Sequence, residues 1–141
     1  MTDKEGVREA SRAFYSALNS VFNKNAEPMR DVWLHSPEVT AMRPNGGREI
    51  GWEQLWEAWQ YVARVFSGGQ VELTEQYIVT SGDLAYEIGL EIGRFSPGGE
   101  EVEVAHRATN VYRRSNGAWK IVHHHTDKSD GAIAVFSRLE P

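Results

Sequence analysis

Apolar residues at Val7, Ala10, Phe14, Ala17, Leu18, Val21 and Phe22 recur at spacings of three and four, which predicts one helix over 4–23 with a single buried face. Pro28 followed by Met29, Val32 and Trp33 predicts a short second helix, closed by His35-Ser36-Pro37. Glu38 to Met42 alternates as a brief strand and runs into the loop residues Pro44-Asn45-Gly46-Gly47. Beyond Gly51 the densest stripe of the chain, Trp52, Leu55, Trp56, Trp59, Val62, Ala63 and Phe66, predicts a third helix that Ser67-Gly68-Gly69 ends. The period then changes from 3.6 to 2. Strands are predicted over 70–80, 84–96, 101–114 and 119–126, separated by Ser81-Gly82-Asp83, Pro97-Gly98-Gly99 and Asn116-Gly117. Helices first and a meander afterwards describe an α+β domain: three N-terminal helices packed on a curved, mainly antiparallel sheet.

A chain of 141 residues has room for one core, and we place a single domain at 1–127 and a C-terminal tail at 128–141, packed on its own domain or on a second copy, with a disordered tail as the alternative. The absence of Cys excludes disulfides, thiolate metal sites and Cys nucleophiles. A net charge of -5 has the wrong sign for nucleic acid, and no run approaches the ~18 apolar residues of a membrane span. A soluble, cytoplasmic protein is expected. Five Trp in a chain that is 11% aromatic point to a core or cavity built from large rings.

Arg107-Ala108-Thr109-Asn110-Val111-Tyr112-Arg113-Arg114, followed by Asn116-Gly117-Ala118-Trp119-Lys120-Ile121-Val122-His123-His124-His125, resembles the ending of SnoaL-like proteins of the nuclear transport factor 2-like superfamily. That superfamily includes ketosteroid isomerases, and the same ending is found in the association domain of calcium/calmodulin-dependent protein kinase II. Gly46 to Trp52 is similar to the loop that leads this family's chain into its third helix. The resemblance covers about 5–127 and implies a cone-shaped fold with an apolar pocket, the opposite sheet face often serving dimerisation. Ketosteroid isomerases carry a catalytic Asp on the first strand, where this chain has Ala41 or a neighbour and only Glu38 at the edge. The association domain's pocket arginines match Glu91 and Asn110 here.

Alternation along 101–114 puts Val102, Val104, His106, Ala108, Asn110 and Tyr112 on one face, the better pocket wall because its polar groups are sparse. His106 is then the candidate proton shuttle, with Glu91 as a second catalytic group, Asn110 or Tyr112 as polarising donors, and Trp59 and His35 as further lining residues. If the parity is reversed, Arg107 with Thr109 becomes the anion-binding pair. Glu87 and Glu91 share a strand face, either beside the pocket with raised pKa values or exposed opposite Arg113 or Lys120. His123 and His125 face one way and His124 the other, so only an H-x-H pair, with a third ligand from His106, would converge on a metal. We expect neither metal nor cofactor. The expectation is a small-molecule pocket protein, homodimeric through its sheet, performing cofactor-independent isomerase, cyclase or hydrolase-type chemistry on a largely apolar or amphipathic metabolite. The rival is a non-catalytic ligand-binding or oligomerisation module.

Overall fold

A computed structural model describes residues 1–139 of the chain. Its elements run α1 (Asp3–Phe22), α2 (Met29–Val32), β1 (Thr40–Met42), β2 (Arg48–Ile50), α3 (Trp52–Val65), β3 (Phe66–Ser81), β4 (Leu84–Pro97), β5 (Val102–Ser115), β6 (Ala118–Thr126) and α4 (Asp130–Leu139). The order in the sheet is β2-β1-β6-β5-β4-β3, with β1 parallel to β6 and every other pair antiparallel. The sheet is therefore mixed, and the three expected helices are joined by a fourth.

Each helix begins where local chemistry allows. The Thr2 hydroxyl accepts the Glu5 amide N–H at 3.2 Å, capping α1. α1 lies across the concave side of the sheet and buries Val7, Phe14, Leu18 and Val21 on the face that the sequence spacing marks out. α3 buries Leu55, Trp59, Val62 and Ala63, whereas Trp52 and Trp56 are only partly covered and stack on each other at 5.8 Å. Gly93 of β4 allows a close approach to β3, since a Cβ there would overlap the Gln70 carbonyl.

Three register shifts interrupt the alternation, the first where β3 begins, between Phe66 and Gly69. In β3 the register shifts between Thr74 and Tyr77, with Glu75 at φ 53°, and this turns Gln76 back toward the interior. In β6 the pairs Val111↔His123 and Tyr112↔Ile121 leave Val122 as the extra residue. Ile121 and His124 both become buried although they are three residues apart. Residues 130–139 of the expected tail form α4, which buries Ala132, Val135 and Phe136. The Phe136 ring lies 5.8 Å from that of Phe66 and 6.4 Å from that of Tyr61. A ten-residue helix is marginal alone and owes its stability to such packing.

Candidate active site

The antiparallel registers set polar residues in two rows across the concave face. One row is Glu87 on β4, Asn110 on β5 and His124 on β6; the other pairs Glu91 with His106. All five are buried, and Tyr15 of α1 lies over both rows. Glu91 accepts from His106 Nε2 at 2.7 Å through Oε1 and from the Tyr15 hydroxyl at 2.8 Å through Oε2. Asn110 Nδ2 donates to the Tyr15 oxygen at 3.0 Å and to Glu87 Oε1 at 2.9 Å. Glu87 also accepts from the Tyr112 hydroxyl at 2.8 Å and from Gln76 Nε2 at 2.6 Å. His124 Nδ1 meets Asn110 Oδ1 at 2.6 Å, and its Nε2 stands 4.0 Å from Glu91 Oε2, too far for a direct hydrogen bond.

Burial pulls against ionisation of Glu91, but the hydrogen bonds it accepts from His106 and Tyr15 hold its carboxyl below the ordinary value. Burial pushes His124 down to about 4, against the attraction of Glu91, so its ring is neutral near pH 7. Tyr15 and Tyr112 are raised well above the phenol range, first by burial and then by the charges of Glu91 and Glu87 respectively. Both therefore stay protonated donors.

Glu91 and His124 lie at the floor of a narrow, almost wholly apolar cavity of about 40 Å³ between the sheet and the helices. Its walls are apolar, from Leu18, Phe22, Trp59, Val62, Phe66, Phe95 and Phe136 among others, and Arg43, Pro44 and Asn45 stand at its edge. Arg43 is held by Glu49 through Nε at 2.7 Å and Nη2 at 3.0 Å. The Trp59 indole N–H is buried without a hydrogen-bond partner. The Ser129 amide, just before α4, donates to the Pro44 carbonyl at 2.8 Å and ties the edge turn to the helix.

The preferred parity of β5 is the observed one: Val104, His106, Ala108, Asn110 and Tyr112 are buried, and Arg107 points outward. Two expectations need correction. Arg107 is exposed on the convex face in a bidentate pair with Asp127, 2.8 and 3.0 Å, because strand alternation sends it opposite His106. His35 stacks on Trp52 at 4.3 Å on the surface and donates to or accepts from nothing in the buried rows, because α2 ends one residue before Trp33 and the chain turns outward. Asn110 and Tyr112 lie on the expected face but behind Glu91, with their polar atoms engaged by the network and not lining the cavity. Glu87 and Glu91 face inward, away from Arg113 and Lys120. His123 and His125 lie on the outer side from His106, so that trio does not converge; among the described residues no group of three or more potential metal ligands comes together. His124 was missed as a site residue. Its middle place in a three-histidine run was legible, but not the bulge that aims it inward. Ala41 pairs in register with His124 and is buried, so no carboxylate stands on β1 beside the imidazole.

The profile of the SnoaL-like domain matches residues 7–126, and the chain belongs to this family. No curated protein matches it. Among solved structures it is similar to a candidate dehydratase of the NTF2-like family from Streptomyces avermitilis, with 24% identity over 91% of this chain and 97% of that one and a TM-score of 0.78. A candidate calcium/calmodulin-dependent protein kinase type II association domain from Thiobacillus denitrificans shares 24% identity over 86% and 93% of the two chains, TM-score 0.70. A candidate ketosteroid isomerase from Shewanella frigidimarina shares 17% identity over 84% and 94%, TM-score 0.65. These likenesses establish the α+β fold.

Proposed function

We propose that the chain is a cofactor-independent acid–base enzyme that moves a proton on a small, largely apolar molecule, in an isomerisation, cyclisation or dehydration. One observation carries the reading: the Glu91 carboxyl is buried at the floor of an apolar cavity with the His124 imidazole 4.0 Å away. Burying such a group is costly unless it is fully hydrogen-bonded. Glu91 takes the role of proton acceptor at the substrate, His124 Nε2 receives or returns the proton on the other side, and His106 with Tyr15 stabilises the carboxylate by two donors. His106 thus acts through Glu91. The candidate dehydratase and candidate ketosteroid isomerase of similar fold are consistent with this chemistry. The cavity is smaller than a metabolite, so binding requires the 43–45 turn or α4 to yield, and the Ser129–Pro44 hydrogen bond couples the two.

The test is proton exchange in D2O, followed by proton NMR on a panel of small apolar carbonyl and hydroxy compounds. Exchange or conversion is expected for at least one, and Glu91→Gln should lower the rate by about 10²- to 10⁴-fold while affinity stays within a few-fold. Binding without any exchange, unaffected by Glu91→Gln, would reject the enzyme in favour of a ligand-binding module. The partner we propose is a second copy of the chain, docked through the convex sheet face.

A further inference from the structure

We propose that Glu87, which does not touch the cavity, is a positioning residue: its carboxylate fixes the orientation of the Asn110 carboxamide and, through it, the ring tautomer of His124. Its catalytic meaning rests on the acid–base reading above; the tautomer itself does not.

Every group around Glu87 is a donor: Asn110 Nδ2 and the Tyr112 hydroxyl on Oε1, Gln76 Nε2 on Oε2. A carboxylate accepts only, so Asn110 must turn its NH2 toward Glu87. The amide oxygen is then left for His124 Nδ1, 2.6 Å away. That oxygen also only accepts, so the His124 proton sits on Nδ1 and the Nε2 lone pair faces Glu91 and the cavity. The second Nδ2 hydrogen goes to the Tyr15 oxygen, which obliges the Tyr15 hydroxyl to donate onward to Glu91. One buried carboxylate thus sets the direction of each hydrogen bond between itself and the cavity floor.

The alternative is a flipped Asn110. Its oxygen would then oppose Glu87 Oε1 at 2.9 Å, two acceptors in contact, while Nδ2 donated to a bare His124 Nδ1 and the ring proton moved to Nε2, toward Glu91 Oε2. In that state His124 donates to the carboxylate and ceases to be a base. The repulsion from Glu87 is what forbids it.

Nitrogen-15 histidine labelling with long-range proton–nitrogen correlation at pH 7 reads the tautomer directly in the free protein, the His124 signals being assigned by their loss in His124→Gln. Wild type is expected in the Nδ1–H form. Glu87→Gln, whose amide N–H can face a flipped Asn110 oxygen, should move more than half of His124 to the Nε2–H form. Adding Asn110→Asp, which accepts from Nδ1–H in either orientation, should restore the wild-type pattern. If Glu87→Gln does not fold, Glu87→Asp withdraws the charge by one methylene and the same shift is expected. An Nε2–H wild type, or a folded Glu87 variant with an unchanged tautomer, overturns the proposal. Failure of the acid–base reading would show instead as absent proton exchange with the tautomer intact.

Discussion

At the scale of single residues, the sharpest consequence concerns His124 and pH. Its folded pKa of about 4 lies below the ordinary 6.5, so between those values the unfolded chain binds a proton that the native one does not. Stability therefore falls as pH drops from 6.5 toward 4, by an amount on the order of 3 kcal/mol for a shift to about 4 in a wholly buried ring. Glu91 acts in the adjoining window: with its folded value lowered from 4.5, its contribution is present above 4.5 and is lost as pH falls through the lowered value. Urea unfolding followed from pH 7.5 to 4.5 should show a declining midpoint in wild type. The His124→Gln variant, which can still donate to Asn110, should show a flatter profile over the same range. A wild-type midpoint independent of pH would mean that His124 is not buried neutral.

At the scale of elements, periodicity identified most of the architecture, because α1, α3 and the long strands each bury one face, and an apolar stripe is the direct record of that. The inward turn of His106, Asn110 and Tyr112 was readable for the same reason, β5 being unbroken. Positions decided by a bulge were not: Val122 in β6 and Glu75 in β3 add one residue each, and nothing in their side chains announces it. β2 is three residues long and pairs only with β1, and α4 is held by rings distant in sequence. α4 nevertheless closes the cavity. Truncating Phe136 to Ala should cost about 3 kcal/mol, as for a buried aromatic, and should enlarge the cavity that Phe136 lines. Chemical denaturation measures the first effect. Binding of apolar probes bulkier than those wild type accepts measures the second, and unchanged size selection would remove α4 from the site.

At the scale of the whole molecule, the two sides of the sheet have separate tasks. The concave side holds the helices, the polar rows and the cavity, and the convex side of β3 and β4 presents Tyr77, Tyr86, Ile88 and Ile92, between 37% and 59% exposed. Their registers, Tyr77↔Ile88 and Val79↔Tyr86, with Thr109 and Val111 of β5 alongside, make one continuous band and not scattered residues. A patch of this kind on a twisted sheet is a site for association. A stable pairing covers about 800 Å² per partner, roughly a tenth of the surface of a chain this size. Light scattering should therefore give a mass of twice 15.9 kDa at micromolar concentration. Ile88→Lys combined with Tyr86→Glu places charge in the centre of the band and should return the mass to that of one chain, with the far-ultraviolet circular dichroism kept. Because the band and the polar rows lie on opposite faces, the separated chains should also keep the wild-type His124 tautomer. A single-chain mass for wild type at every concentration would leave the convex face without the partner proposed for it.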